Sequence, residues 1–589
     1  MSTDEPRLST EKAEVSHHES LPESHPVVIN EDGPELHFKV TPRLVLSVLA
    51  LMLGYNGSFF SLSLVGPIIS IINKEVGPEP YYAWMSIAWS MACAIMVTVA
   101  GRLMDIFGRR YLMILGNAIC VIGCIVAGTA HSVGVIICGL AILGAGTGFQ
   151  LQATAAIAEL VPKRLRPIVT GIVAFSLFVP GVFGTPIAYR LVKTSWRWSF
   201  WVTMIIDALT CICLILVYFP PTFEQKHVQN HRTKWQELAD FDFVGLLLFI
   251  GSLVSLLLGI NWGGSTHPWA SATVIVPIAI GGLGLIAFFL YEALMPLRAA
   301  LIPKVLLRDL RGFVAVISTI FVAGMLLYSL QILWPQMCAV VYGADDTRIG
   351  WLGCTFAGGT VVGALSLALV IAKLGHGRLV LVTVVASQTA VVGAMAAMNQ
   401  HTLAGSVVLT TLAGLCVGCI QLVSITMIIL RCPDQFIGVA VGLAGTARLV
   451  GGAIATAIYT TVLSNKVAQV LPANVAQAAL VLDFPQQDLG TLIAALLSDS
   501  PSALTQVPGA TPAVIEAASA AVTNSYVQGF RLIFLITIAF GGTATLAACC
   551  TKNFDDQLTD HVAAELNHAH VRHDEDAHQL EKERALEGE

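Results

Sequence analysis

Charge is what this chain has least of. Asp, Glu, Lys and Arg make up 12% of its 589 residues, against ~25% in soluble domains, and mean hydropathy is +0.75. That composition excludes an ordinary soluble globule. No Gly-x-x-x-x-Gly-Lys-[Ser/Thr] loop occurs, so ATP held on a phosphate loop is not the expected energy source. The apolar segments hold no His/Cys/Glu set with metal-ligand spacing, and no Ser/His/Asp arrangement stands out. Neither an enzyme nor a bound metal or cofactor is expected. Cys416 and Cys419 have redox-like spacing, but they lie in an apolar run without a nearby His and read as packing residues. The net charge of −6 comes largely from the two ends, and no nucleic-acid partner is expected. Nothing resembling a cleavable leader precedes the first apolar run, near Leu44.

Apolar runs, by contrast, fill the sequence. Fourteen can be read, most of them about 20 residues or a little longer. At ~1.5 Å rise per residue such a run crosses the ~30 Å hydrocarbon core as a helix. Only helices satisfy every backbone polar group there when spans are strung singly along a chain. The expected fold is an all-α polytopic membrane protein with 14 transmembrane helices. The expected partition is a disordered N-tail over 1–42, six spans over 43–220 and a loop over 221–242. Two inserted helices follow over 243–295, then six spans over 296–550 and a C-tail over 551–589. The polar ends, rich in Glu, Asp and His, read as solvated tails. The connection 464–525 is broken by Pro501, Pro508 and Pro512 and reads as short interfacial helices.

An even number of spans puts both tails on one side. Loops on that side carry sixteen basic residues, among them Arg102, Arg109, Arg110, Lys163, Arg164 and Arg166, against six on the far side. The positive-inside rule then makes both termini cytoplasmic. The lipid bilayer is thus the first partner.

The strongest local pattern is Gly101-Arg102-Leu103-Met104-Asp105-Ile106-Phe107-Gly108-Arg109-Arg110, in the tail-side turn after the second span. Gly101 and Gly108 let helices and a tight turn meet. Asp105 is placed to accept hydrogen bonds from basic groups or from a helix N-terminus. This loop resembles the signature of the major facilitator superfamily. A degenerate echo, Lys373-Leu374-Gly375-His376-Gly377-Arg378, sits eight spans later. Their spacing implies two six-helix bundles separated by the inserted pair, with an alternating-access cavity between them. In that reading Gly101, Asp105, Gly108, Arg109 and Arg110 form a conformational-switch motif.

Further stretches narrow the resemblance. The fifth span contains Val179-Pro180-Gly181-Val182-Phe183-Gly184-Thr185-Pro186, a kinked, flat-faced helix. With Pro180, Gly181, Gly184 and Pro186 it looks like a loosened antiporter motif. Ser195-Trp196-Arg197-Trp198-Ser199-Phe200 and Ala447-Arg448-Leu449-Val450-Gly451-Gly452 are similar to steps common in fourteen-helix drug:proton antiporters. Pro508-Gly509-Ala510-Thr511-Pro512 and Asn261-Trp262-Gly263-Gly264 look like fungal members of the trichothecene efflux branch. Exporters of the superfamily usually carry an Arg in span four where Leu140 stands here.

A charge inside the bilayer costs ~2.5–3.5 kcal/mol on insertion scales, so each one needs a reason. Asp207, among aliphatic residues of the sixth span, is the best-placed carboxylate to bind and release a proton. A structural hydrogen bond or a salt bridge to another helix is the alternative. Arg448 is either its partner, a coupling element or a structural group. Asn56, Gln150, Gln331, Trp334, Gln388 and Gln421 are candidates to line a mostly apolar cavity, or else to bond between helices.

The resemblance implies proton-coupled efflux of small lipophilic compounds, such as a mycotoxin or drug, from the plasma membrane by a monomer. A vacuolar or vesicle membrane is the alternative site. An importer of the same fold, for a siderophore for example, and a transporter-like nutrient sensor are the alternative functions.

Overall fold

The computed structural model describes residues 40–79, 81–220, 234–264, 266–297, 299–482, 484–497, 507–559 and 562–563. The expected N-tail up to residue 39, most of the 221–242 loop and the C-tail beyond 563 lie outside the described residues. Among the described residues thirteen helices are long and apolar enough to cross a bilayer, and a bent pair taken as one span brings the number to fourteen. Among the described residues the only strand-like pairings are two isolated bridges. The molecule is an all-α membrane protein.

Local chemistry starts and bends these helices. The first begins at Pro42, where the missing N–H costs nothing, and the Thr41 hydroxyl accepts from the Leu44 N–H at 3.2 Å. The fifth span consists of Lys163–Ser176 and Phe178–Val192, bent by 45°. The bend falls at a π-turn, Phe178–Val182, which contains Pro180 and Gly181. Pro180 has no N–H to continue the ladder, so the chain passes it with a wider turn.

Spans one to six and nine to fourteen repeat one packing pattern. In the first half Gly144 and Gly148 of span four (Val133–Glu159) press on the span two backbone at Trp89 and Met96. In the second half Gly414 and Gly418 of span twelve (Leu403–Arg431) press on span ten (Asp346–Leu374) at Phe356 and Thr360. Apolar burial between helices gains little inside lipid, so close backbone approach at small residues holds such pairs. Spans seven (Phe243–Trp262) and eight (Ala272–Leu294) pack as a pair. Phe249, Leu253, Leu257 and Phe288 join Met91 and Ile95 of span two and Leu449 and Val450 of span thirteen. The inserted pair therefore flanks the seam between the halves.

The far-side connection differs from expectation. Span thirteen continues as one helix, Ile437–Leu480, and span fourteen already begins at Pro512, as Pro512–Cys550. Leu463, Val467, Leu471, Val475 and Ala479 are buried at every fourth position, a stripe that carries the helix on through Pro472. The two extensions lie together, with Asn474 Nδ2 donating to Ser525 Oγ at 2.8 Å. The 44 residues of span thirteen rise about 66 Å, roughly twice the hydrocarbon core. Leu489–Leu497, entered through the 3-10 turn Gln486–Asp488, is a separate short helix in this connection.

Candidate functional site

On the tail side the turn after span two (Trp84–Phe107) locks the halves together. Gly108, at φ +92°, makes the one-residue turn into span three (Arg109–Gly128), a conformation that favours glycine. The turn places Asp105 against the start of span thirteen. Its carboxylate accepts from the Gly438 N–H at 2.9 Å and the Val439 N–H at 2.8 Å. These are orphan donors of a helix N-terminus, where partial positive charge favours an anion. Gly101 meets the carbonyl of Gly438, and a Cβ at either glycine would overlap the opposite chain.

Behind the gate Arg109 is buried and holds two acids. It reaches Glu159 with two hydrogen bonds of 2.6 Å and Asp105 at 3.2 Å. Arg110 turns away, donating to the Ile215 carbonyl at 2.9 Å and lying 3.6 Å over the Phe219 ring. A second crossing joins span five to the second half. Arg166 donates to Asp434 at 3.1 Å and to the Ile429 carbonyl at 3.0 Å. Ala155 and Ala158 pack against Ile429, Ile437 and Val441 between these contacts. The described conformation is closed on the tail side.

Asp207 lies inside the first bundle and is fully buried. One carboxylate oxygen accepts from Gln150 Nε2 at 2.7 Å, and that amide also donates to Asn117 Oδ1 at 2.9 Å. The other oxygen of Asp207 and the Gln150 Oε1 have no hydrogen-bond partner. Gly57 of span one makes room, since a Cβ there would overlap the carboxylate. No described cation pairs with Asp207; Arg448 is elsewhere.

Arg448, on span thirteen, lines a cavity between the halves together with Tyr55, Thr154 and Gln421. The remaining wall is aliphatic, including Leu151, Ile320 and Ile420. The guanidinium reaches Tyr328, its Nε has no hydrogen-bond partner, and no described carboxylate pairs with it. In this conformation the cavity is about 40 Å³, far below the ~300–1,000 Å³ of small-molecule sites. It has no room for such a ligand in this conformation.

The candidate residues thus fall in different places. Gln421 is on the cavity wall, and Gln150 belongs to the Asp207 cluster. Asn56 bonds to the Met52 carbonyl and to Ser176 of span five at 2.9 Å. Trp334 is buried, its Nε1 donating to the Leu352 carbonyl at 2.9 Å. Gln388 is buried inside the second bundle, and Gln331 is exposed. Within span five, Gly184 admits Ser63 of span one, while Pro186 lies beside Gly350 of span ten.

Tyr55, Thr154, Asn117, Glu159 and the Arg166–Asp434 pair were not singled out from sequence. Glu159 did carry a signal, as the one acid beside the basic trio Lys163, Arg164 and Arg166.

The profile of a family described as fungal trichothecene efflux pump (TRI12) matches residues 27–584. The trichothecene efflux pump of Fusarium sporotrichioides is 28% identical over 531 residues, covering 89% of this chain and 89% of that protein. The MFS-type transporter prx5 of Penicillium rubens is 29% identical over 532 residues, covering 88% and 93%. Among solved structures, the human organic anion transporter MFSD10 superposes with a TM-score of 0.52 at 11% identity, covering 85% of this chain and 100% of its own. The proton:xylose symporter XylE gives 0.52 at 13%, covering 85% and 95%. At such identities the structures speak for the fold alone.

Proposed function

The chain belongs to the fungal trichothecene efflux pump family of the major facilitator superfamily, and from that premise we propose that it exports a small lipophilic compound, a fungal toxin or a drug, in exchange for protons. It works as a monomer in the plasma membrane with both termini cytoplasmic. The observation that carries the coupling is the Asp207 cluster. A buried carboxylate with one neutral donor and no cation is uncompensated when ionised. The cluster also holds two buried acceptor oxygens without donors, Asp207 Oδ2 and Gln150 Oε1. A proton on Asp207 removes the charge and supplies a donor, so its arrival and departure change how spans three, four and six are held together.

The cavity supports the choice of substrate. Its wall is mostly aliphatic, with a few polar groups, Tyr55, Thr154, Gln421 and Arg448. Such a wall favours an apolar body bearing a few oxygen acceptors over a sugar, which needs many partners. In the cycle, opening of the Asp105 and Arg166 contacts admits substrate from the tail side. Their re-formation contracts the cavity and expels it to the far side.

The test uses purified protein in liposomes, a labelled trichothecene and an imposed pH gradient. Accumulation that follows the gradient and collapses with an uncoupler supports the exchange. Transport that ignores the gradient overturns proton coupling, and net movement only toward the tail side overturns export.

A further inference from the structure

The two halves are not equal at the tail side. In the first half two acids, Asp105 and Glu159, surround Arg109 and tie spans two, three and four. The matching places in the second half have none. The last turn of span ten is Ala372-Lys373-Leu374, and Leu430 stands three residues before Pro433 as Glu159 stands three before Pro162. The chain after span fourteen fills the gap. Asp555 Oδ2 accepts from the His376 N–H at 2.9 Å, at the N-cap of span eleven (Gly377–Ala394), and from Asn553 Nδ2 at 2.6 Å. Phe554 is fully buried against Gly377, where a Cβ would overlap its ring.

The same short segment touches the ends of other spans. Arg378 donates to the Cys549 carbonyl at 2.6 Å, the Lys552 N–H to the Arg311 carbonyl at 3.1 Å, and Arg431 to the Asn553 carbonyl. Then it crosses the seam. The Arg164 N–H, at the entry to span five, donates to the Thr559 carbonyl at 2.9 Å. In the first half Asp105 reaches over to the start of span thirteen. In the second half it is the segment Thr551–Thr559 that reaches over to the start of span five.

We propose that Asp555 is a positioning residue for transport: it supplies from the chain after span fourteen the carboxylate that spans ten to twelve lack, and so holds Thr559 across the seam as a second tail-side latch. The segment must let go of span five for substrate to enter from the tail side. This goes beyond the proposed exchange and does not depend on which compound is carried or on protons.

The experiment reads the distance between spin labels at Tyr111 and Leu546, both exposed and on opposite halves, in full-length protein whose exposed cysteines, Cys138, Cys549 and Cys550, are changed to serine. Asp555→Ala is expected to raise the ratio of tail-side-open to tail-side-closed molecules at least about fivefold, the low end of coupling between sites. Asp555→Asn, which keeps an acceptor for the His376 N–H, raises it less. Asp556→Ala, at an exposed neighbour that accepts from Gln557, leaves it unchanged. A chain ending at Leu558 shifts toward the open form, while one ending at Asp560 keeps the Thr559 carbonyl and does not. Folded Asp555→Ala with the parent's distance distribution overturns the proposal. If Asp555→Ala does not fold, the two shortened chains decide, and equal distributions for them overturn it.

Discussion

Asp105 and Val439 are 334 positions apart in sequence, yet the carboxylate of one accepts the backbone N–H of the other at 2.8 Å. The Gly438 N–H donates to the same carboxylate. One side chain thus caps a helix of the opposite bundle, and the contact exists only while the tail side is closed. Asp105→Asn keeps the shape and removes the charge, which costs about 1–2 kcal/mol at a helix N-terminus. Closed molecules should become about 5–30-fold less favoured. Accessibility labelling of the cavity from the tail side measures this, and populations equal to the parent's would reduce the motif to a topology signal.

Gly101→Ala tests the same gate by volume rather than charge. Its Cβ would overlap the Gly438 carbonyl, and overpacking of this kind costs about 1–3 kcal/mol. The tightest overlaps are with the opposite half, the flexible Gln152 amide of span four being the other neighbour, so the cost falls mainly on the closed form and thermal stability should fall little once the gate has opened. A variant that remains closed and fully active contradicts the crossing described here.

Asp207→Asn keeps an acceptor for Gln150 and loses the titratable proton. Folding and substrate binding should survive, while the dependence of transport on the pH gradient disappears. The check is a pair of measurements on one preparation, trichothecene binding and gradient-driven uptake. A variant with the parent's full pH profile demotes Asp207 to a structural group.

Among the described residues Arg448 has no carboxylate partner whose loss would destabilise the fold, so Arg448→Gln should leave the melting temperature within a few degrees of the parent. Removing a charge-assisted hydrogen bond to a substrate oxygen should cost about 1.5–3 kcal/mol of affinity. KM for a labelled trichothecene should therefore rise about tenfold or more. A large loss of stability with unchanged KM would place Arg448 among the structural residues.

Cys432, in the connection between spans twelve and thirteen, offers a native reporter. Burial pushes its thiol well above the ordinary value, the Asp105 and Asp434 carboxylates push the same way, and Arg166 opposes them. Only the thiolate reacts, so a raised value means slow maleimide labelling at pH 7. The rate should still climb about tenfold per pH unit through pH 9, where an ordinary thiol begins to level off. It should also climb in Asp105→Asn at constant pH. Labelling of Cys432 as fast as that of exposed Cys549 or Cys550 would show that the gate is not closed in solution.

Much of the site was readable because its chemistry is local. Asp105 could be assigned basic groups or a helix N-terminus as its targets, and it meets both, Arg109 and the start of span thirteen. Which helix it caps was not readable, because the partner N–H groups belong to Gly438 and Val439 and a backbone donor leaves no trace in sequence. Asp207 was conspicuous as a lone charge among aliphatic residues. Its partners were not, because Gln150 and Asn117 look like any other amide in a span until the bundle brings spans three, four and six together. The continuation of spans thirteen and fourteen past the bilayer was missed for a similar reason. Pro501, Pro508 and Pro512 read as breaks between short helices, whereas Pro512 opens the helix of span fourteen and burial of the Val467–Leu471–Val475 stripe carries span thirteen through Pro472 at the cost of one lost hydrogen bond.

The sequence by itself determined the membrane, the apolar spans that cross it and the residues that cannot face lipid alone. Each follows from transfer free energy summed along a continuous stretch, which needs no knowledge of neighbours. Only the tertiary structure decided that Arg448 faces the cavity while Asp207 does not, that the gate is shut on the tail side, and that Asp555 completes the second half. Those are choices among partners far apart in the chain. They are settled by how closely glycine-bearing helices approach and by which buried polar atoms then come within hydrogen-bonding distance.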